Sequence, residues 1–163
     1  MSKEFKQVCT YFSKYISEQD LVYVGSAEII SMKVRKDERT LELGIVSDYL
    51  LNYKIIESIQ SSLCNGLELK RAVLKVKYSP DLFDTEDIET IISPIRLTHS
   101  AVNGFFDGVE AELKDNRLTL CLKKGGRELL ENQDIHKAIS QLIYDQFSLE
   151  FEVSFLEVES FDI

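Results

Sequence analysis

The sequence predicts an α+β protein built from two small domains, each a three-stranded sheet with helices on one face. Apolar residues recur at steps of three and four in some segments and at steps of two in others, which indicates amphipathic helices alternating with half-buried strands. The pair Ser79-Pro80 interrupts this pattern, because proline lacks an N–H group and restricts the residue before it. The order of elements then repeats. We therefore predict one domain over residues 1–80 and another over residues 81–163.

The first domain is predicted to contain a helix, a hairpin, a second helix and a strand. Helical spacing of apolar residues places the opening helix over about residues 3–17. The hairpin is predicted from alternation of period two on either side of the turn at residues 36–39. Its inward residues are expected to be Ile30, Met32, Val34, Leu41, Leu43 and Ile45. The second helix is expected to end at Asn65-Gly66, and residues 71–78 alternate as the third strand.

The second domain repeats this order with one additional helix. Asp84 can cap its first helix, in which Pro94 predicts a kink or a break into two pieces. A hairpin is predicted around residues 114–117, and this turn lies 78 residues after its counterpart at residues 36–39. A short helical piece over residues 127–131, a long helix and a last strand formed by Leu149, Phe151, Val153 and Phe155 complete the domain.

The order helix, strand, strand, helix, helix, strand is that of a type II KH domain. Such domains bind single-stranded nucleic acid through a GxxG loop between their two central helices. Here the corresponding junction reads Glu131-Asn132-Gln133-Asp134, so it has neither a glycine for close backbone approach nor a cation for phosphate. We expect a KH-like fold with a degenerate loop and without the nucleic-acid role.

Charge is unevenly divided along the chain. The net charge of −9 argues against unassisted binding to DNA or to an acidic membrane. Residues 1–80 hold 12 basic and 10 acidic side chains, whereas residues 81–163 hold 7 and 18. The odd number and wide spacing of Cys9, Cys64 and Cys121 support neither a disulfide framework nor a zinc site. With no apolar run long enough for a signal peptide or a membrane span, we predict a cytoplasmic protein.

A three-stranded sheet covered on one face leaves its other face open, and that face is where we expect a binding site. On the first sheet the outward residues include Lys33, Arg35, Arg71, Lys75 and Lys77. This basic stripe suits phosphates or an acidic partner, but lysines on strands also serve solubility and edge protection. On the second sheet the outward residues are expected to be Glu110, Glu112, Glu150 and Glu152, which suit solvent, a basic protein or the basic stripe itself.

Other polar clusters give weaker signals. The run Lys123, Lys124, Gly125, Gly126 and Arg127 resembles an anion site at a helix start, but an ordinary strand-to-helix turn explains it better. The acidic residues between Asp81 and Glu89 lack the spacing of a calcium loop and suit helix capping. Neither His99 nor His136 has a nucleophile or metal-ligand partner at motif spacing. We predict no catalytic residue and no metal site.

Several phrases of the sequence resemble a known family. They are SAEIISMKVR at residues 26–35, AVNGFFDGVE at residues 101–110, the Lys-Asp-Asn-Arg turn that follows, and LKKGG at residues 122–126. These segments are similar to the N-terminal region of PolC, the DNA polymerase III α subunit of low-GC Gram-positive bacteria, and especially to its clostridial forms. The similarity extends over essentially the whole chain.

The resemblance implies a place in a longer protein. In PolC proteins two small N-terminal domains precede an OB-fold, a metal-dependent phosphoesterase-like region, a proofreading 3′-5′ exonuclease and the polymerase core. The first of the two resembles the polymerase-binding domain of the clamp-loader subunit, and the second resembles a type II KH fold. The chain would then be a piece of such a polymerase cut at Ile163. None of the family's catalytic carboxylates can be carried over to it, because their domains are absent.

The expected function follows from this resemblance and from the basic stripe. We expect a non-catalytic module, without polymerase or nuclease activity, that binds replisome proteins such as the clamp loader or other polymerase-associated factors. The alternative is a module that binds single-stranded nucleic acid and guides the template, with DNA on the first domain. A scaffold unrelated to polymerases is a third possibility. No cofactor is expected in this chain, whereas the parent polymerase would use divalent metal, Mg²⁺.

Overall fold

The computed structural model describes residues 7–102 and 104–157, which belong to two compact units that meet in the chain between Tyr78 and Ser79. This division lies two residues before the predicted one. Each unit contains a three-stranded mixed sheet together with helices. The predicted α+β class, with two small sheet-and-helix domains, is therefore confirmed.

The first unit contains three helices and three strands. They are α1 (Val8–Phe12), α2 (Glu18–Val24), β1 (Glu28–Arg35), β2 (Thr40–Val46), α3 (Tyr53–Leu67) and β3 (Arg71–Lys77). The prediction of a single opening helix is wrong, since the chain turns after Phe12 and α2 begins anew. The Ser17 hydroxyl accepts a hydrogen bond from the Asp20 N–H group at 3.2 Å, and such a serine cap starts a helix. The predicted residues 3–6 lie outside the described residues.

The first sheet has the order β1-β2-β3, with β1 antiparallel and β3 parallel to β2. Helix α3 makes the crossover between the two parallel strands and packs on β3. The shared core consists of buried aliphatic side chains from β2, α3 and β3, namely Leu41, Leu43, Ile45, Ile56, Ile59, Leu63, Leu74 and Val76. Burial of each leucine or isoleucine contributes roughly 1.5–3 kcal/mol to stability.

Helix α3 ends later than predicted. Its cap is Glu68, which takes the left-handed conformation at φ 55°, so the helix continues through Asn65 and Gly66. A Cβ atom at Gly66 would lie only 2.6 Å from the Tyr15 ring. Gly66 therefore gives Tyr15 room to pack on α3 and does not end the helix.

Strand β1 departs from the predicted alternation. Ile29 pairs with Ile45 and Ser31 pairs with Gly44, so Ile30 is the extra residue of a β-bulge. The side chains of Ile30 and Ser31 both lie beside Gly44. A Cβ atom at Gly44 would collide with the Ser31 hydroxyl. The prediction that Ile30 points inward is therefore wrong. Beyond the bulge, Met32 pairs with Leu43 and lies on the inward face, as predicted.

The second unit has short helices before its first strand and two longer helices between its second and third strands. Helix α4 (Ile88–Ile92) and helix α5 (Ile95–Thr98) flank Pro94, which confirms the predicted break. Three 3-10 turns accompany them among the described residues, at Pro80–Leu82, Thr85–Asp87 and Ser100–Val102. The remaining elements are β4 (Glu110–Lys114), β5 (Arg117–Leu122), α6 (Arg127–Asn132), α7 (Ile135–Phe147) and β6 (Glu152–Glu157).

The second sheet repeats the topology of the first. Its order is β4-β5-β6, with β4 antiparallel and β6 parallel to β5, and α6 and α7 form the crossover. The fully buried residues include Leu118, Leu120, Leu122, Ile135, Ile139, Ile143 and Phe147. The predicted order helix, strand, strand, helix, helix, strand is confirmed. The last strand begins at Glu152, so Leu149, Glu150 and Phe151 precede it, contrary to the prediction.

Candidate interaction surface on the first sheet

Strand register places the five predicted cations on one face of the first sheet. Lys33 pairs with Glu42, and both Arg35 and Arg71 pair with Thr40. Paired residues on neighbouring strands point to the same side of a sheet. The basic face is defined by five exposed side chains, Lys33, Arg35, Arg71, Lys75 and Lys77. The opposite face of β2 is the one buried under the helices.

Two strand carboxylates share this face with the cations: Glu42, and Glu28, which pairs with Val46 as Lys77 does. Glu42 forms an ion pair with Lys75, and Lys33 and Arg35 add electrostatic attraction. The hydrogen bond from Lys75, with these nearby positive charges, lowers the pKa of the Glu42 carboxyl below its ordinary value. Arg35 lies 3.7 Å from Glu38 of the turn. Five cations thus share this face with two acidic strand residues, Glu28 and Glu42, and the face keeps a net positive charge.

Three cations of the basic face are available for a partner. Within the part of the chain that the structure describes, Lys33, Arg71 and Lys77 make no ion pair. Exposed apolar residues of β1 lie on the opposite side of the same edge strand. Met32 is 45% exposed and Val34 is 53% exposed, although both lie on the inward side of the sheet. Strand β1 therefore has positive charge on one side and accessible apolar area on the other.

The corresponding face of the second sheet is mixed in charge, which corrects the prediction of four carboxylates. Glu110, Glu112 and Glu152 lie on it, but Lys114 and Arg117 share the same face. Glu110 pairs with Lys123 at 2.9 Å and Glu152 with Arg117 at 3.7 Å. Glu150 precedes β6 and lines a groove along α7 with Lys137, Ser140, Gln141 and Tyr144.

The run from Lys123 to Arg127 has carboxylate partners within its own unit. Lys123 contacts Glu110, and Lys124 lies 3.4 Å from Asp107. The Arg127 side chain contacts Glu131 at 2.9 Å, and this pairing raises the pKa of the guanidinium. At the start of α6 the Arg127 N–H group donates to the Glu157 carboxylate at 2.9 Å. Protein carboxylates already occupy the positions that an external anion would take, which disfavours the anion site.

Gly125 and Gly126 belong to the turn that begins α6. Both have positive φ, at 71° and 89°, which favours glycine. At Gly126 a Cβ atom would lie 2.5 Å from the Phe105 ring. Close packing on Phe105 and the turn geometry account for these two residues.

Metal-binding geometry is not found among the described residues, where no group of three His, Cys, Asp or Glu side chains converges. The Asp84 carboxylate accepts a hydrogen bond from the Glu86 N–H group at 2.9 Å, as expected for a cap. The His99 Nδ1 atom lies 2.9 Å from the Thr98 hydroxyl, and the His136 ring packs on Phe155. In the described parts of the chain no helix is long and apolar enough to cross a membrane.

Sequence reasoning missed the bulge at Ile30, near the start of β1. A signal was present, because glycine inside a strand often marks a bulge or a close approach, and Gly44 lies in the middle of β2. It also missed that Met32 and Val34 would remain half exposed, since alternation does not tell how far helices extend over an edge strand.

Comparison with protein-family models, with curated proteins and with solved structures finds no match to this chain.

Proposed function

We propose that this chain is a non-catalytic protein-binding module that holds an acidic partner on the basic face of its first sheet. The observation that carries the proposal is the presence of five exposed cations on one side of three strands, together with only two strand carboxylates, Glu28 and Glu42. Solubility alone does not require an excess of positive charge on one face, since a mixture of positive and negative charges also gives solubility, as on the second sheet.

Protein is favoured over nucleic acid as the partner for two reasons. The net charge is −9, and the excess of acidic residues lies in residues 81–163, so the chain as a whole repels a polyanion. Apolar side chains of Met32 and Val34 are exposed on the other side of the same edge strand, and protein interfaces combine such area with a charged rim. Single-stranded nucleic acid is the second candidate, because the unpaired Lys33, Arg71 and Lys77 also suit phosphates.

The resemblance to PolC indicates the kind of protein to which this module would belong. The phrases at residues 26–35 and 101–110 support an origin in the N-terminal region of a replicative DNA polymerase, and the repeated order of elements agrees with it. The partner would then be a replisome protein such as the clamp loader or another polymerase-associated factor, in the cytoplasm. DNA synthesis with Mg²⁺ and proofreading would belong to the parent chain and not to these residues.

Charge reversal tests the proposal. The four changes Lys33→Glu, Arg35→Glu, Lys75→Glu and Lys77→Glu convert most of the basic face. Binding to a purified clamp-loader subunit and to a single-stranded oligonucleotide is measured by fluorescence anisotropy at about 50 and 200 mM salt. We expect the protein complex to be lost and the oligonucleotide to bind neither form. The matched control, Lys114→Glu with Arg117→Glu on the second sheet, should bind as wild type.

Two results would overturn the proposal. Oligonucleotide binding that weakens steeply with salt and disappears on charge reversal would establish the nucleic-acid alternative. Unchanged affinity of the reversed protein for every polymerase-associated factor that binds wild type would remove the basic face from any binding role.

A further inference from the structure

Strand β1 is an edge of the first sheet. It pairs with β2 on one side. On its other side the described residues provide a single bridge, from Gln7 to Glu28 at the first residue of the strand. No described strand pairs with that side of the strand from Ile30 to Arg35. An edge with unpaired N–H and C=O groups is a template for another extended chain.

The side chains along this edge alternate in chemistry. Met32 and Val34 point to the inward side and are half exposed. Lys33 and Arg35 belong to the basic face on the other side. An added strand would therefore meet apolar surface on one of its faces and positive charge on the other, because its own side chains alternate with the same period.

We propose that the outer edge of β1, from Ile30 to Arg35, binds an extended partner segment in which acidic residues alternate with apolar ones. This inference rests on the proposed function and adds the mode of binding and the chemistry of the segment. The acidic residues contact Lys33 and Arg35, the apolar residues pack on Met32 and Val34, and backbone hydrogen bonds supply much of the affinity.

Charge complementarity distinguishes this occupant from a second copy of the chain. Symmetric antiparallel pairing of two β1 edges centred on Lys33 places Lys33 of one copy opposite Lys33 of the other, with Arg35 on the neighbouring diagonal. Like charges across paired strands are destabilising. An acidic segment removes this repulsion and replaces it with attraction.

The second unit offers an internal control. Its edge strand β4 has the same position, but it is shorter, at five residues, and carries Glu110 and Glu112 on its outward face. Residues 83–85 lie beside Ala111 and Leu113 and line a groove with them. An acidic segment should therefore bind at β1 and not at β4.

The test uses the whole 163-residue chain. The probe is a labelled synthetic peptide of about ten residues with alternating Glu and Val, a length that covers a typical strand. The control peptide has the same composition with all Glu residues before all Val residues. Binding is measured by fluorescence anisotropy, and amide hydrogen exchange of β1 and β4 is followed by NMR with and without peptide.

We expect the alternating peptide to bind and the block peptide to bind at least about tenfold more weakly, because only alternation matches both faces of the edge. Exchange should slow at amides within residues 30–35 and stay unchanged in β4. The pair Met32→Thr with Val34→Thr removes apolar contact while retaining strand propensity, and it should weaken binding severalfold. Far-UV circular dichroism confirms that this variant folds.

Other outcomes separate the failure of this inference from that of the proposed function. Binding that depends on the basic face but leaves β1 exchange unchanged would overturn strand addition and keep the proposed function. Absence of binding by both peptides, with the acidic replisome partner unaffected by charge reversal, would remove both. A dimer in ultracentrifugation, with β1 amides protected before peptide is added, would assign the edge to a second copy. Peptide binding that is seen only after residues 1–6 are removed would assign the β1 edge to these residues of the chain itself.

Discussion

The two units have the same plan and different outward surfaces. Each has an antiparallel hairpin whose second strand also pairs in parallel with the last strand after a helical crossover. The outward face is strongly basic in the first unit and mixed in the second. Buried residues and turns therefore determine the plan, while outward residues differ between the two units without changing it.

The turn from the long helix to the last strand shows how closely the plan is shared. Glu68 after α3 and Ser148 after α7 both take the left-handed conformation, at φ 55° and 57°. The Lys70 N–H group then donates to the Arg39 carbonyl at 2.8 Å, and the Glu152 N–H group donates to the Asn116 carbonyl at 2.8 Å. In both units the start of the last strand is thus attached to the hairpin turn.

Separate cores should respond separately to truncation. Leu43→Ala removes a side chain that is fully buried in the first sheet, and we expect a loss of about 2–5 kcal/mol in the free energy of unfolding. Six of the seven tyrosines lie in residues 1–78 and tryptophan is absent, so tyrosine fluorescence during urea unfolding reports mainly on the first unit. Leu120→Ala, the matched change in the second sheet, should leave this transition in place. Equal shifts in both variants would contradict independent cores.

Because of the bulge, adding a side chain at Gly44 should destabilise the first sheet, whereas a substitution at the corresponding position of the second sheet should not. Gly44→Val adds a branched side chain at the place where the Ser31 hydroxyl and Ile30 side chain lie. We expect a loss of about 1–3 kcal/mol from this overpacking, measured by thermal unfolding.

Cys121 occupies the corresponding position on β5 and pairs with Glu110, without a bulge. Cys121→Val should therefore change stability by less than about 0.5 kcal/mol. A similar cost at both positions would mean that the bulge does not make Gly44 special.

A buried tyrosine should give the first unit a stability loss at alkaline pH. The Leu51 N–H group donates to the Tyr78 hydroxyl at 3.0 Å, and burial raises the pKa of Tyr78 from 10.0 to about 12. The folded state holds the proton more tightly than the unfolded state, so stability present below pH 10 is lost as pH rises toward 12. Urea midpoints followed by circular dichroism between these pH values measure this loss.

The variant Tyr78→Phe should lose about 1 kcal/mol at neutral pH, because the Leu51 N–H group loses its acceptor. It should also show a smaller alkaline loss than wild type. Tyr144→Phe is the control in the second unit, since Tyr144 is 47% exposed and its removal should alter neither quantity. An unchanged alkaline slope in Tyr78→Phe would show that another group is responsible.

A smaller effect is expected at Glu42, the carboxylate on this face that pairs with Lys75. Glu42→Gln removes the charge that Lys75 pairs with, so affinity for the alternating acidic peptide should rise about threefold. Glu112→Gln, on the outward face of β4, should leave the affinity unchanged. Peptide titration at low salt measures both variants, and weaker binding by Glu42→Gln would mean that Glu42 positions the lysine instead of competing for it.

Much of this molecule could be predicted from local pattern. The period-two alternation placed both hairpins and brought the five cations to one face, because register cannot change without turning the apolar residues outward. The predicted opening helix over residues 3–17 was wrong beyond Phe12, because Phe12 and Ile16 are both buried at helical spacing although the helix ends between them. The partners of Lys123 and Arg127 could not be predicted, since Glu110 and Glu157 come from distant parts of the chain.

The extra residue at Ile30 limits what the edge of β1 can accept. Backbone pairing along an edge is interrupted where a bulge shifts the hydrogen-bonding groups out of line. Only the few residues between the bulge and the turn at residues 36–39 offer an unbroken row. A peptide that binds this edge would therefore pair over only a few residues. The bulge at one end and the turn at the other would fix its pairing register, so even a short peptide would bind in a single register.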